Sequence, residues 1–514
     1  MSDQLSLLKQ RLRELADLGH AIALETWDQQ TMMPPRGAEA RAESLATLTR
    51  ISHELFIDDE TGRLVEGAAA QVHGDDPDSD DVRLVALTRR QWEKARRVPA
   101  ELAAEQARAG SLGQEAWVQA RAESDFQSFA PHLEHNIELA RRYIDCQIGS
   151  AGFDCPYDVL LDDYEPQIPT AHVAGLFAEL RGELVDLIAT LSRHVQPDDR
   201  PVHARFNVDA QRRLVREVVT MMGFDDAGWR LDDTVHPFAS RIGGGDVRIT
   251  TRWNEHFFPM GLYGAMHECG HGLYETQLPA SLRRLPTGAT ESLGLHESQS
   301  RLWENMVGRS RAFCEVLAPR IAELAGGELA SLDAGALYRA VNAVRPEFIR
   351  VEADEATYGL HIILRFELEQ ELVQGTLSVS DLPEAWNARF QDYLGLQVTN
   401  DADGVLQDVH WAAGLIGYFP TYALGNLIAG QLWQRAQEDL DGLNEMIRTG
   451  RLDPLREWLG DRIHRHGSKF TTAELLEREL GGSITVAPFV GYLRDKLGDV
   501  YGLDVIRTQS QHDS

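Results

Sequence analysis

Cysteine is scarce in this sequence, and long apolar runs are missing. The 514 residues include only four cysteines, and none of them form a Cys-x-x-Cys pair. The sequence therefore argues against a disulfide scaffold, and we expect a reducing compartment. No apolar run reaches the roughly 18 residues that a membrane-spanning helix needs. The first residues lack a basic start followed by an apolar segment, so we expect no signal peptide. These absences predict a cytoplasmic protein without a membrane span.

Positive charge is also in short supply. Fifty basic residues face 80 acidic ones, which gives a formal net charge of −30. An excess of negative charge argues against a nucleic-acid partner and against an anionic membrane surface. The apolar fraction of 43% is ordinary for a soluble globular protein, so the chain can bury a sizeable core.

Most of the chain has apolar residues at helical spacing, which predicts a mainly α protein. The one convincing β segment is Asp246–Trp253, which alternates β-branched and charged residues after a glycine-rich turn. We expect it to be an edge strand that a peptide substrate could extend, or a small structural hairpin, and both interpretations can hold together. The predicted helical segments cover about 3–28, 38–57, 82–149, 170–193, 208–223, 315–326, 333–345, 354–375, 382–396, 424–448, 453–466 and 471–479.

The most informative stretch is His267-Glu268-Cys269-Gly270-His271. Residues four apart lie on one face of a helix, so the two imidazoles can bind one metal ion. Glu268 lies beside that ion, where a general base for a water molecule is needed. The sequence therefore predicts a catalytic zinc site, and the alternative is two surface histidines on an amphipathic helix.

A catalytic zinc site needs a third protein ligand and one open position. Glu297 follows His271 by 26 residues, which allows a second, antiparallel helix to present its carboxylate. Two histidines, one glutamate and a water molecule would complete the site. We interpret the neighbouring His296 as a core histidine or as a residue that supports a ligand.

Several further motifs accompany this site, and together they resemble the carboxypeptidase Taq family of metallocarboxypeptidases. The resemblance covers nearly the whole chain. The matching motifs are Thr31-Met-Met-Pro-Pro-Arg-Gly37, His236-Pro-Phe238, Asp246-Val-Arg-Ile-Thr250, the pentad at 267–271, His296-Glu-Ser-Gln299, Ile349-Arg-Val-Glu-Ala-Asp354 and the run Gly404–Trp411.

The resemblance implies a zincin-like helical fold with a deep groove, a helical N-terminal cap and a very small sheet. We expect one catalytic unit over 1–514, with a cap lobe at 1–225 and a catalytic lobe at 226–514. The family further implies a homodimer that removes C-terminal residues from peptides with broad specificity, using zinc or, as a substitute, cobalt. It also implies that His267, His271 and Glu297 are the ligands and that Glu268 is the base.

One position departs from a pattern common among related zincins. Where many of them carry an aspartate four residues after the ligand glutamate, this chain has Arg301. The partner of a ligand histidine must therefore come from another part of the chain.

The reaction also needs groups that the metal motif does not provide. His236, His410, Tyr418 and Tyr422 are our candidates for stabilising the oxyanion, although each could instead be structural. A carboxypeptidase must also bind a free carboxylate, for which the planar fork of an arginine is suited. We favour Arg350 for this role, with a structural ion pair to Asp354 as the alternative.

Arg248 is our second candidate for binding the carboxylate, again with a structural ion pair as the alternative.

Two other functions remain open at this stage. The same metal chemistry would serve an endopeptidase or a dipeptidase, and a metal- or peptide-binding protein without turnover could retain the histidines. A pure binding site does not need Glu268, so its presence favours an enzyme.

Overall fold

The computed structural model describes residues 3–149 and 152–506, and within these ranges the chain forms 21 α-helices and one three-stranded sheet. The helices before the sheet are α1 (Gln4–Thr31), α2 (Ala38–Ile57), α3 (Asp59–Gln71), α4 (Asp80–Arg97), α5 (Ala100–Glu123), α6 (Phe126–Gln147), α7 (Pro156–Leu161), α8 (Thr170–Leu191), α9 (Arg200–His203) and α10 (Val208–Met222). The predicted mainly α fold class is confirmed.

The helices after the sheet carry most of the candidate site residues. They are α11 (Pro259–Thr276), α12 (Leu293–Arg301), α13 (Arg311–Ala325), α14 (Ala334–Val341), α15 (Tyr358–Gln374), α16 (Leu382–Leu394), α17 (Pro420–Asp439), α18 (Leu443–Arg448), α19 (Asp453–Arg462), α20 (Thr472–Leu480) and α21 (Ala487–Tyr501). A π-helical segment, Leu302–Gly308, continues directly from α12. Within the described ranges, no helix is both long and apolar enough to cross a bilayer.

The sheet has the strand order β1-β3-β2, with β1 at Trp229–Asp233, β2 at Ala239–Gly243 and β3 at Asp246–Thr251. Strand β3 pairs in parallel with β1 and antiparallel with β2. The expectation of an edge strand at 246–253 was therefore wrong, because both edges of β3 are occupied. Its side chains Val247 and Ile249 are 1% and 0% exposed, as befits a central strand packed against α11.

Two of the hydrophobic clusters among the described residues connect several helices. The larger runs from Ala120 to Val500 and includes the buried faces of α11, α12, α15 and α17. The smaller joins α1, α3 and α4 through residues such as Leu8 and Leu64. Ion pairs such as Arg83–Glu474 then connect α4 to the C-terminal part of the chain.

The helix predictions hold for most segments, with four omissions and two mergers. Helices α3, α7, α9 and α21 were not predicted, and the segment 82–149 is three helices, α4, α5 and α6. The segment 424–448 is two helices, α17 and α18, because Gly442 adopts a positive φ of 75° that turns the chain between them.

Candidate metal centre

Helices α11 and α12 cross at Gly270, and this crossing brings the predicted ligands together. A Cβ at that position would lie 2.8 Å from both the carbonyl oxygen of Gln299 and the Cα of Ser300. Glycine is therefore required here, although it costs about 1 kcal/mol relative to alanine inside a helix. A similar constraint acts at Gly425 of α17, where a Cβ would lie 2.7 Å from Cγ of Glu297. Glu297 is thus held between α17 and the two histidines.

The three predicted ligands fit a divalent cation. Oε2 of Glu297 lies 3.5 Å from Nε2 of His267 and 3.4 Å from Nε2 of His271, and the three ligand atoms all lie within 4.8 Å of one another. Atoms bound about 2.1 Å from a common tetrahedral zinc ion would be about 3.4 Å apart. The donor set of two imidazoles and one carboxylate is also typical of catalytic zinc sites.

Glu304 supplies the partner that the sequence could not assign to His267. Its Oε2 lies 2.9 Å from Nδ1 of His267. With Nδ1 protonated and donating to this carboxylate, Nε2 keeps its lone pair on the side facing Glu297. Such a carboxylate behind a ligand histidine fixes the ring orientation and strengthens the ligand.

His271 is oriented by a longer chain of side chains. Its Nδ1 lies 2.5 Å from Nδ1 of His296, and Nε2 of His296 lies 3.1 Å from Oε1 of Glu275. If Nε2 of His271 binds a cation, its Nδ1 carries the proton and donates it to His296. His296 must then donate from Nε2 to Glu275. His296 therefore orients the predicted ligand His271, which is one of the two roles that the sequence left open.

Arg301 orients the third predicted ligand. Its Nε donates to Oε1 of Glu297 over 2.7 Å, which leaves Oε2 facing the imidazoles. Ser300 Oγ also donates to Oε2 of Glu297 over 3.1 Å. Arg301 thus positions the carboxylate of the predicted ligand Glu297, and Glu304 is the partner of His267.

The two histidines differ strongly in basicity. Burial lowers the pKa of His267, but the charges of Glu297 and Glu304 outweigh it and raise that pKa to about 9. Burial and the neighbouring His296 lower the pKa of His271 to about 3. Burial opposes ionisation of Glu297, yet Arg301 and His267 hold its pKa well below the usual value. At neutral pH the His267 ring of the metal-free site is therefore protonated on both nitrogens, and Nε2 must lose its proton before it can bind a cation.

Glu268 has the properties of a general base. Its side chain is buried next to the ligands, and the residue is 7% exposed. Burial raises the pKa of Glu268 to about 7, although the charge of His267 acts in the opposite direction. A carboxylate with a pKa near the working pH can both accept and return a proton.

An aromatic wall is formed by the loop before α17 and by the first turn of that helix. We define it as His410, Tyr418 and Tyr422. Nε2 of His410 lies 3.2 Å from the hydroxyl of Tyr422, and the Tyr418 ring packs 5.3 Å from each of the other two rings. Burial, and then the charge of Glu297, raises the pKa of Tyr418, so this wall lies beside the metal centre.

Arg350 lies behind the same wall, and its ion-pair partner differs from the one we considered. Its Nε and Nη2 donate to Oδ1 of Asp408 over 3.0 and 2.7 Å, and its Nη1 donates to Tyr358 over 3.0 Å. Asp354 instead accepts backbone N–H groups, including that of Arg345. The guanidinium also lies 4.9 Å from the centre of the Tyr422 ring.

The remaining two candidates lie away from these contacts. His236 is exposed on the loop between β1 and β2, and among the described residues it has no hydrogen bond or ion pair. Arg248 pairs with Asp246 over 3.0 and 2.8 Å and stacks 4.2 Å above the Trp27 ring. This arrangement favours a role in docking α1 on the sheet.

Sequence reasoning missed Glu304, Glu275 and Asp408 as members of the site. A partial signal exists for Glu304, which follows Glu297 by seven residues, or two helical turns. No sequence spacing indicates that Asp408 pairs with Arg350, because 58 positions separate them.

Comparison with known proteins identifies the family. The family model described as Carboxypeptidase Taq (M32) metallopeptidase matches residues 7–497. The chain belongs to the M32 carboxypeptidase Taq family. It is therefore a metal-dependent peptide hydrolase of the carboxypeptidase type, and the recognised resemblance is confirmed.

Individual M32 proteins agree over nearly the whole length. Thermostable carboxypeptidase 1 of Thermus thermophilus is 43% identical over 497 residues, which cover 95% of this chain and 97% of that protein. Carboxypeptidase 1 of Bacillus subtilis is 36% identical over 95% of this chain and 97% of its own length. The crystal structure of the M32 carboxypeptidase from Deinococcus radiodurans R1 superposes with a TM-score of 0.93 at 38% identity, covering 97% of this chain and 99% of that one.

Proposed function

We propose that this M32 peptidase is a zinc-dependent carboxypeptidase in which His267, His271 and Glu297 bind the ion. The observation that carries the proposal is the spacing of 3.4–3.5 Å between the Glu297 oxygen and both Nε2 atoms. When bound, a divalent ion supplies Lewis acidity, which activates water and polarises a carbonyl group. Cobalt, which shares these ligand preferences, is the expected substitute.

Glu268 moves the proton in this proposal. Its carboxylate accepts a proton from the attacking water and then passes it to the amine that leaves. The pKa of about 7 suits both transfers near neutral pH. Glu304 and His296 keep the two ligand rings in place while this happens.

The aromatic wall provides neutral donors for the developing negative charge. Burial lowers the pKa of His410 to about 4, so at pH 7 its ring is neutral and offers one N–H. Burial raises the pKa of Tyr422, so its hydroxyl keeps the proton that it can donate. We propose that at least one member of the wall, His410, Tyr418 or Tyr422, stabilises the oxyanion.

Arg350 is the residue that we propose for the substrate carboxylate. Asp408 neutralises only one of two buried arginines, because Arg365 also pairs with it over 2.6 Å. Asp408 cannot neutralise both guanidinium groups, and this favours binding of an anion at Arg350 beside the aromatic wall. Three of the five N–H groups of Arg350 are used by Asp408 and Tyr358, which leaves two for a ligand.

The decisive variant is Glu268→Gln, with Glu328→Gln as the control on an exposed glutamate. Release of the C-terminal residue from an N-blocked dipeptide should fall by several orders of magnitude in the first and stay unchanged in the second. Zinc content, measured on the same samples, should remain one ion per chain in both. Unchanged turnover by Glu268→Gln would remove this residue from the mechanism.

A peptide-ladder assay separates the proposal from the other functions. A carboxypeptidase removes one residue at a time from the C-terminus, whereas an endopeptidase cuts internally and a dipeptidase leaves longer peptides intact. A non-catalytic binding protein would bind the ladder and leave it unchanged. Family membership favours the first outcome.

The oligomeric state and the location of the protein, as expected from the sequence, are also part of this proposal. We expect a homodimer, which light scattering on the full chain would detect as twice the mass of 57.4 kDa. A cytoplasmic location fits the four free cysteines among the described residues. Localisation of a tagged chain by cell fractionation would test it.

A further inference from the structure

A small pocket lies behind the metal centre, where α1, the β2–β3 turn and the segment after α11 meet. It encloses about 50 Å³. Each enclosed water needs roughly 10–15 Å³ by the same measure, so the pocket has room for about three to five waters or one small polyatomic ion. Its lining includes His20, Arg241, Gly243–Gly245, Glu275, Arg283 and Arg284.

The pocket carries an unbalanced positive charge. Arg241 pairs with Glu275 over 3.2 Å, and Arg284 pairs with Asp17. Arg283 has no carboxylate partner among the described residues, since its Nε and Nη2 donate to backbone carbonyl groups over 3.2 and 3.3 Å. Three guanidinium groups thus face two carboxylates, in a chain whose formal net charge is −30.

The remaining lining suits an anion as well. The β2–β3 turn presents glycines, so no side chain fills the space beside Arg283. A Cβ on Gly244 would lie 3.4 Å from Cδ of Arg283. Burial and the charge of Arg241 lower the pKa of His20, so its ring is neutral at pH 7 and can donate one hydrogen bond.

We propose that this pocket binds one small anion, either a carboxylate or an inorganic oxyanion, through Arg283 and Arg241. The anion can come from two sources. One is a free ion such as phosphate. The other is an acidic side chain of a peptide, which would present a carboxylate to Arg283 and Arg241.

Phosphate titration of the chelator-treated full chain tests the first source. Isothermal titration calorimetry at constant ionic strength should show saturable binding of one phosphate per chain. Arg283→Gln should weaken this binding at least tenfold. Arg284→Gln is the matched control, because Arg284 already has its own carboxylate and should change the affinity less than twofold.

A second variant keeps the test valid if Arg283→Gln fails to fold. Gly244→Glu leaves the hydrogen bonds of Arg283 intact and places a carboxylate into the pocket, so it should abolish phosphate binding. The matched Gly244→Gln adds similar bulk without charge, and it should retain more of the binding than Gly244→Glu. Equal phosphate affinity in all four variants would overturn an anion site in this pocket.

The second source is tested with paired N-blocked peptides that carry glutamate or glutamine at one upstream position. If the pocket takes a substrate side chain, the ratio of kcat/KM for glutamate over glutamine should fall at least fivefold in Arg283→Gln. This assay rests on the proposed function, whereas phosphate titration does not. Failure of the anion site can therefore be distinguished from failure of the proposed function. Absence of both saturable phosphate binding and a charge-dependent ratio would refute the proposal.

Discussion

Replacing Glu304 with glutamine should weaken zinc binding about 10- to 100-fold, or about 1.4–2.7 kcal/mol. Glu304 lies 2.9 Å from Nδ1 of His267, and it is the only carboxylate described at that nitrogen. The amide oxygen of glutamine can still accept the hydrogen bond, but it carries no negative charge. The imidazole would then be a weaker ligand and its orientation less fixed.

Glu304 also forms ion pairs with two arginines. The effect of losing these ion pairs on stability must be separated from the effect on zinc binding. It lies 3.5 Å from Arg301 and 3.2 Å from Arg309, so the variant should also lose some stability. Zinc affinity is measured by competition with a chromophoric chelator at pH 7.5, and thermal unfolding of the metal-free protein is recorded in parallel. Glu328→Gln, on an exposed glutamate, is the control for both measurements.

The expected result is a loss of zinc affinity that exceeds any loss explained by unfolding. A matched variant, Glu275→Gln, should lose less, because its carboxylate acts on His271 only through His296. A zinc dissociation constant within twofold of wild type in Glu304→Gln would refute the reasoning, since His267 would then need no anionic partner.

Three further predictions concern His267, Arg248 and Glu369. Zinc binding at pH 8 should release about one proton, because the pKa of His267 is raised to about 9 and zinc must displace that proton. Zinc affinity should therefore rise with pH up to about 9. Calorimetry in buffers of different ionisation enthalpy measures the proton release. Arg248→Gln should lower the unfolding free energy by about 1 kcal/mol, through loss of the cation–π contact with Trp27, and leave KM unchanged in steady-state assays. Glu369→Gln should cost about 1–3 kcal/mol in urea unfolding, because the carboxylate accepts hydrogen bonds from Tyr157, Trp411 and the Gly417 amide.

The sequence predicts that His267 and His271 lie close together, because a helix fixes their spacing. The third ligand, Glu297, is harder to predict, because its position depends on where a second helix crosses the first. The structure shows that the backbone at Ser300 lies close to Gly270 at this crossing, a contact that the sequence does not reveal.

The supporting residues could not be predicted, because they depend on contacts between separate elements. Glu304 reaches His267 from the π-helical segment after α12, and a π-helical turn has no clear sequence signal. The same limit applies to the sheet. The pattern at 246–253 predicts a strand, but whether that strand is central depends on two partners that the pattern does not reveal. The division into lobes at residue 225 stays a prediction.

The most direct test of the account is anomalous diffraction at the zinc edge from crystals of the zinc-loaded, active full chain. The account predicts one anomalous peak about 2.0–2.2 Å from Nε2 of His267, Nε2 of His271 and a carboxylate oxygen of Glu297. An active, zinc-loaded crystal with the ion bound elsewhere, and no peak between these three side chains, would contradict it.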